Sequence, residues 1–191
     1  MFTYEELLKN RRSIRNYKDK KIDPKILQEI LNDACQAPSA SNKQPWEFIV
    51  IQDQKLMEKI SDESKKNLLR EIKVDSDSQL KQYEKLLRER SNVFYNAPCL
   101  VIIAGKNEGR FFQRDCALAA AYFMFAATAR NLGTCWVGLG AEIEDAALKK
   151  EIGLPENREI AATLIVGYPQ EIPAANVRQP KILKMILSDA H

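Results

Sequence analysis

Histidine is nearly missing from this 191-residue sequence: the one copy is His191, the last residue. Histidine triads, histidine metal sites and imidazole acid-base catalysis are not expected, because each needs the ring held in a packed site and chain ends are the positions least often held. Glycine is scarce as well, at seven. No Gly-x-Gly-x-x-Gly follows a strand and no Gly-x-x-x-x-Gly-Lys-[Ser/Thr] occurs, so neither familiar backbone cradle for phosphate is available. No Gly-x-Ser-x-Gly turn presents a nucleophilic serine. The four cysteines, Cys35, Cys99, Cys116 and Cys135, form no Cys-x-x-Cys pair and sit in mostly apolar surroundings. They read as reduced buried thiols, and no metal centre is expected.

Charge of one sign is lacking too. Lys+Arg number 29 against 26 Asp+Glu, a formal net charge of +3, too balanced for a surface that attracts nucleic acid as a whole. Any anion site should be local. The central uncharged run, Cys116 to Ala129, falls well short of the ~20 residues a bilayer requires. The start MFTYEELLKN lacks the basic and apolar stretches of a secretory signal. A cytoplasmic protein with neither nucleic-acid nor membrane partners is expected.

Length suits one domain over residues 1–191, with residues 170–191 as an arm. Thr3 and Glu6 fit a capping box for a helix running to about Asn10. Asp23-Pro24 starts a second helix with apolar residues at Ile26, Leu27, Ile30, Leu31 and Ala34, ending by Ala37-Pro38. Strands are expected over Trp46–Ile51, Cys99–Ala104 and Ile160–Val166, the second buried on both faces and central. Residues 54–72 and 77–95 read as charged, solvated helices. Asp115–Leu132 reads as a core helix ended by Gly133. Glu142–Ile152 reads as a further helix, and Ile182, Leu183, Ile186 and Leu187 as a short apolar helix at the end of the arm. Strands interspersed with helices argue for an α+β or α/β sheet packed between helices.

Two stretches carry polar chemistry. In RRSIRNY, from Arg11 to Tyr17, the planar forks of arginine and a serine hydroxyl are suited to phosphate oxygens. If the segment is extended, Arg11, Ser13 and Arg15 project from one side. Taken alone, the cluster favours an exposed basic turn. In PSASNKQPW, small residues would let a flat heterocycle approach the backbone, while Asn42 and Gln44 can donate and accept hydrogen bonds. Alone, it is equally a connecting loop.

Together with their order they become specific. RRSIRNY, then APSASNKQPWEF, then FYNAPCLVIIAG, then a long apolar helix leading into NLGTCWVGLG resembles the nitroreductase family of FMN-dependent oxidoreductases, over nearly the whole chain. The resemblance implies an α+β fold with a central, mainly antiparallel sheet flanked by helices, in an intertwined homodimer that exchanges C-terminal arms. It implies that Arg11, Arg12, Ser13 and Arg15 bind the FMN phosphate and ribityl chain, with Arg178 in VRQP as the best match to a late phosphate-binding arginine and Lys181 as its rival. Pro38, Ser39, Ala40, Asn42 and Gln44 would reach the partner's flavin, and Cys135, Trp136, Val137, Gly138 and Gly140 would lie along the isoalloxazine ring.

The implied reaction is ping-pong: NADH or NADPH passes hydride to flavin N5 and leaves, and a nitroaromatic, quinone or similar acceptor takes its place. No protein residue is expected to act as a chemical catalyst. Arg15 would stabilise the negative charge that reduction leaves near N1, a backbone N–H around Gly140 would tune N5, and Cys135 would be a packing residue. The alternatives are a specialised flavin enzyme, such as an enone reductase or a dehalogenase, or a flavin-binding module without enzymatic activity.

Overall fold

The computed structural model describes residues 2–75 and 78–186. Four strands, β1 (Glu47–Ile51), β2 (Cys99–Gly105), β3 (Gly133–Trp136) and β4 (Glu159–Gly167), form one antiparallel sheet in the order β1-β2-β4-β3. The nearly uninterrupted apolar run of β2 sits inside the sheet with every residue buried. Period-two alternation sends Cys99, Val101 and Ile103 to one face and Leu100, Ile102 and Ala104 to the other, each set entering a separate hydrophobic cluster. The strand needs apolar residues at every position because both faces are covered.

Helices α1 (Tyr4–Asn10), α2 (Pro24–Ala34), α3 (Gln54–Val74), α4 (Glu84–Glu89), α5 (Phe112–Ala129) and α6 (Ala146–Glu151) surround the sheet. The α1 capping box forms as the sequence predicts: Thr3 N–H donates to Glu6 Oε2 at 2.7 Å and Glu6 N–H to Thr3 Oγ1 at 3.3 Å. Asp23 caps α2 through Lys25 N–H at 2.8 Å, with Pro24 in the first turn. Helix α2 buries Leu27, Ile30 and Ala34 against the same cluster as the Ala119, Ala120 and Phe123 stripe of α5. The other face of the sheet is covered by α3, α4 and residues 137–154, with Phe94 at its centre. Burying a phenylalanine on each face, Phe94 and Phe123, stabilises the sandwich by roughly 2–3 kcal/mol apiece.

Several boundaries differ from the sequence expectation. Helix α5 starts three residues before Asp115 and is stopped by Asn131 rather than Gly133: Asn131 takes the left-handed conformation (φ 58°) and Leu132 N–H closes on Ala127 O at 2.9 Å. Asparagine tolerates that conformation because its amide bonds locally. The expected helix over 77–95 is a 3-10 turn (Gln79–Tyr83) followed by the short α4, and Asp77 lies outside the described residues. Residues 142–145 are loop, so α6 is shorter than expected. No helix forms over residues 182–186, where Ile182, Leu183 and Ile186 are exposed and have no apolar surface to fold onto; Leu187 lies outside the described residues.

The charged helix α3 has a structural duty that its composition conceals. Its buried polar residues hold the loop that follows β3. Ser64 Oγ donates to Leu139 O at 2.9 Å and accepts from Glu142 N–H at 3.1 Å, while Asn67 Nδ2 donates to Glu142 O at 2.9 Å. Glu63 accepts from Lys66 at 2.8 Å, Asn67 at 2.8 Å and Asp145 N–H at 3.2 Å. These bonds, the Lys66 ammonium first, outweigh the opposing effect of burial and lower the Glu63 carboxyl from 4.5 to about 2. A depressed carboxyl stabilises the fold above its unfolded pKa and loses that contribution as pH falls through the folded value. Lys66 is largely exposed, and solvent screens its share. Between pH 4.5 and about 2, wild-type protein is therefore expected to lose on the order of 1 kcal/mol that Glu63→Gln does not lose. Urea unfolding across that pH range checks this; parallel curves for the two proteins would contradict it.

Candidate functional site

The RRSIRNY segment leaves α1 and runs along the free edge of β3. Ile14 N–H donates to Thr134 O at 2.9 Å, Lys18 N–H to Tyr168 O at 2.9 Å, and Gln170 N–H to Asn16 O at 3.0 Å. Isolated bridges join Ser13 to Thr134 and Tyr17 to Pro169. Ile14 is buried against Gly133, where an added Cβ would lie 2.4 Å from Ile14 Cγ1. Only glycine leaves room for that side chain. Tyr17 Oη donates to Ile14 O at 2.7 Å, fixing the turn. Ile14 and Tyr17 are packing residues, and the inward direction of Ile14 turns its neighbours Ser13 and Arg15 outward, as the extended reading of the sequence requires.

The outward side chains meet the arm. Arg11, Arg12, Ser13 and Arg15 line one cleft with Pro173, Asn176 and Arg178, enclosing about 530 Å³. Arg178 takes part and Lys181 does not line it. Among the described residues no carboxylate lines the cleft. Elsewhere Arg70, Arg88, Arg130 and Arg158 are paired with Glu or Asp, whereas among the described residues the four cleft arginines form no ion pair. Burial lowers the Arg11 pKa, and the positive charges of Arg178 and Arg12 lower it further. Arg12 donates to Arg11 O at 2.7 Å, and its buried Nε–H has no partner among the described residues. Four arginines, with Lys9 beside them, gathered without a counter-charge among the described residues make a site that an anion stabilises.

The segment after β3 splits into two sets. Trp136 and Gly138 face out, whereas Cys135, Val137 and Gly140 are buried. An added Cβ on Gly138 would meet nothing within 4 Å, so the main chain there is open. Gly140 is the opposite case: its Cβ would come within 2.3 Å of the Phe94 ring, and its N–H already donates to Val137 O at 3.2 Å. The expected free N–H at Gly140 is therefore engaged, and that residue serves packing. Burial raises the Cys135 thiol, an effect only partly opposed by Arg15, Ser13 and Arg11. A buried protonated thiol is a packing group, as the sequence reading holds.

The 38–44 loop does not join the cleft within one chain. It precedes β1, the sheet edge opposite β3, and three strand spacings separate the edges by about 14 Å. Ser41, Asn42 and Gln44 all have positive φ, between 47° and 54°. Gln44 N–H donates to Ser39 Oγ at 3.0 Å and Gln44 Nε2 to Asn42 Oδ1 at 3.1 Å. Buried Asp115 receives Ala40 N–H at 3.2 Å. Pro38 is exposed and Ala40 and Gln44 border a second cavity of about 880 Å³. That cavity is the weaker anion site although it is larger. Its Arg158 is held by Glu47 at 2.7 Å, its Lys106 faces Glu108 at 3.5 Å, and Asp115 adds a negative charge.

Sequence reasoning passed over Asp115 as the loop's anchor, although a lone acid opening an apolar helix is a visible signal. It also passed over Tyr95, which accepts a hydrogen bond from Arg15 Nε at 3.1 Å. Nothing in the local pattern links positions 80 residues apart.

Comparison with known proteins completes the description. A protein of Archaeoglobus fulgidus, provisionally named NADH dehydrogenase/NAD(P)H nitroreductase, is 31% identical over 176 residues, covering 87% of each chain. An iodotyrosine deiodinase of Thermotoga neapolitana is 25% identical over 171 residues, covering 87% of this chain and 88% of its own. The solved structure of a Bacteroides fragilis nitroreductase with bound FMN superposes with a TM-score of 0.81 at 24% identity, covering 99% of this chain and 100% of that one. Residues 8–168, from the end of α1 to the end of β4, match the nitroreductase family, and the chain belongs to it.

Proposed function

We propose that the chain is an FMN-dependent oxidoreductase that takes hydride from NADH or NADPH and delivers the electrons to a nitroaromatic, quinone or similar small acceptor, acting as a homodimer. The observation that carries this reading is the carboxylate-free arginine cleft. One terminal phosphate supplies the missing counter-charge for Arg11, Arg12, Arg178 and the Ser13 hydroxyl, and 530 Å³ lies within the ~300–1,000 Å³ typical of small-molecule sites. The orphaned Arg12 Nε–H and the open main chain at Gly138 fit the same group.

FMN, when bound, supplies the redox chemistry, accepting hydride and returning the electrons to the acceptor. The residues of this chain bind, orient and tune. Arg15 places a fixed positive charge for the negative charge that reduction adds. Trp136 and Gly138 offer the flat, accessible strip on which a ring can lie. No side chain is assigned a proton-transfer step, in keeping with a chain whose sole histidine is His191.

The dimer reading is supported by what a single chain leaves exposed. Pro38, Ser39, Ala40, Asn42 and Gln44 stand across the sheet from the cleft, so they complete it when contributed by a second copy. Phe111, Leu118 and Tyr122 form an uncovered face on α5, and the arm exposes Ile172, Val177, Ile182 and Leu183. Apolar surface on that scale marks a protein interface. The four free cysteines suit a reducing, cytoplasmic setting, and no helix among the described residues is long and apolar enough to cross a membrane. A second reading, reductive dehalogenation on the same flavin, is favoured by the deiodinase relatives; iodide release from an iodophenol distinguishes it from nitro or quinone reduction.

FMN-saturated protein is expected to lose its yellow colour on anaerobic addition of NADH or NADPH and regain it with a nitroaromatic or quinone. Protein that binds FMN but keeps its colour is a binding module, and protein that takes up no FMN ends the reading. Arg11→Ala with Ser13→Ala is expected to weaken FMN binding about tenfold or more, with thermal unfolding unchanged; undiminished affinity would remove their phosphate role. Gly138→Val should also weaken FMN binding while leaving stability intact, whereas Gly140→Ala should cost about 1–3 kcal/mol of stability by crowding Phe94. Equal effects of the two substitutions, read by FMN titration and urea unfolding, would contradict the outward and inward assignments.

A further inference from the structure

Tyr95 and Asn96 both hold positive φ, 57° and 53°. Two consecutive residues in the left-handed region, one of them bulky and neither glycine, are uncommon, and such strain persists only where surrounding structure imposes it. It is imposed here. Asn92 Oδ1 receives Phe94 N–H at 2.7 Å, Ser61 Oγ receives Val93 N–H at 3.0 Å, and Gln54 Nε2 donates to Ala97 O at 2.9 Å. The result is that the Tyr95 side chain meets the RRSIR segment. Its hydroxyl accepts from Arg15 Nε at 3.1 Å, and its ring is approached by the guanidiniums of Arg15 at 5.6 Å and Arg90 at 4.2 Å.

This contact decides what Arg15 can do. Among the described residues Arg15 has no carboxylate to hold it, and its only other hydrogen bond is Nη1 to Ser13 O at 3.5 Å, which is too long to fix a side chain. Tyr95 therefore provides the one firm anchor among the described residues, and it takes Nε–H while leaving N–H donors of the terminal nitrogens for a ligand. A neutral hydroxyl and an aromatic face hold the guanidinium without cancelling its charge.

We propose that Tyr95 is a positioning residue: the strained 92–97 turn exists to deliver it, and it aims Arg15 with its charge intact at the ligand of the arginine cleft. The inference rests on the FMN reading for the identity of that ligand. Through Arg15, Tyr95 then sets how strongly the site favours the negative charge added on reduction.

Tyr95→Phe keeps the ring and removes the anchor. In the full-length protein titrated with FMN, it is expected to raise the dissociation constant about three- to tenfold and to shift the midpoint potential of the bound flavin to a more negative value. Both changes should vanish in an Arg15→Ala background. Tyr95→Phe effects that persist undiminished in Arg15→Ala, or the absence of either effect in the wild-type background, would overturn the proposal. A readout free of flavin separates it from the reading on which it rests. In protein without FMN, phenylglyoxal should modify Arg15 several-fold faster in Tyr95→Phe than in wild type, followed by mass spectrometry. An unchanged rate refutes the anchor even if FMN binds, and an accelerated rate upholds it even if FMN does not.

Discussion

The Ile14 side chain wedged onto the bare Cα of Gly133 fixes the functional face of this protein. A chain laid along a sheet edge can slip, and a slip of one residue exchanges every inward side chain for an outward one. Here the exchange is blocked. An isoleucine pressed against a glycine that has no Cβ to give way, together with the bond from Ile14 N–H to Thr134 O, holds a single register. With that register set, Ser13 and Arg15 face the cleft, α1 delivers Arg11 and Arg12 beside them, and the chain leaving β4 brings Arg178 back over the same spot.

The sheet behind this edge is rigid because both its faces are buried, and the polar residues on α3 extend that rigidity to the loop after β3. Ser64, Asn67 and Glu63 pair with main-chain groups between Leu139 and Asp145 and so hold that irregular segment in place. A helix that reads as plain solvated surface thus clamps the strip carrying Gly138. On the opposite side of the molecule, Asp115 clamps the 38–44 loop by its Ala40 N–H in the same way. Both devices fix irregular backbone by satisfying its donors and acceptors, which is what a binding surface built on loops requires.

Much of this could be read in the sequence where the determinant is local. The capping box at Thr3, the Asp23-Pro24 start and the doubly buried β2 run follow from patterns a few residues long, and the ordered motifs point to the family that the comparison of residues 8–168 establishes. Contacts of long sequence separation were hidden. Arg15 and Tyr95 are 80 residues apart, and the strained turn between them has no glycine to announce it. Within NLGTCWVGLG, inward and outward residues could not be told apart until β3 fixed the alternation that buries Cys135 and exposes Trp136. The closing apolar residues of the arm suggested a helix, yet a helix that short forms only against a surface.

The central claim is that Arg11, Arg12 and Arg178, which form no ion pair among the described residues, are gathered for one phosphate. Titration of the full-length protein with FMN and with riboflavin, which differs by lacking that phosphate, isolates the claim from everything the ring contributes. The account predicts that FMN binds about a hundredfold or more tightly, from at least two charge-assisted hydrogen bonds, with the advantage shrinking as salt rises. Equal affinity for the two would contradict it.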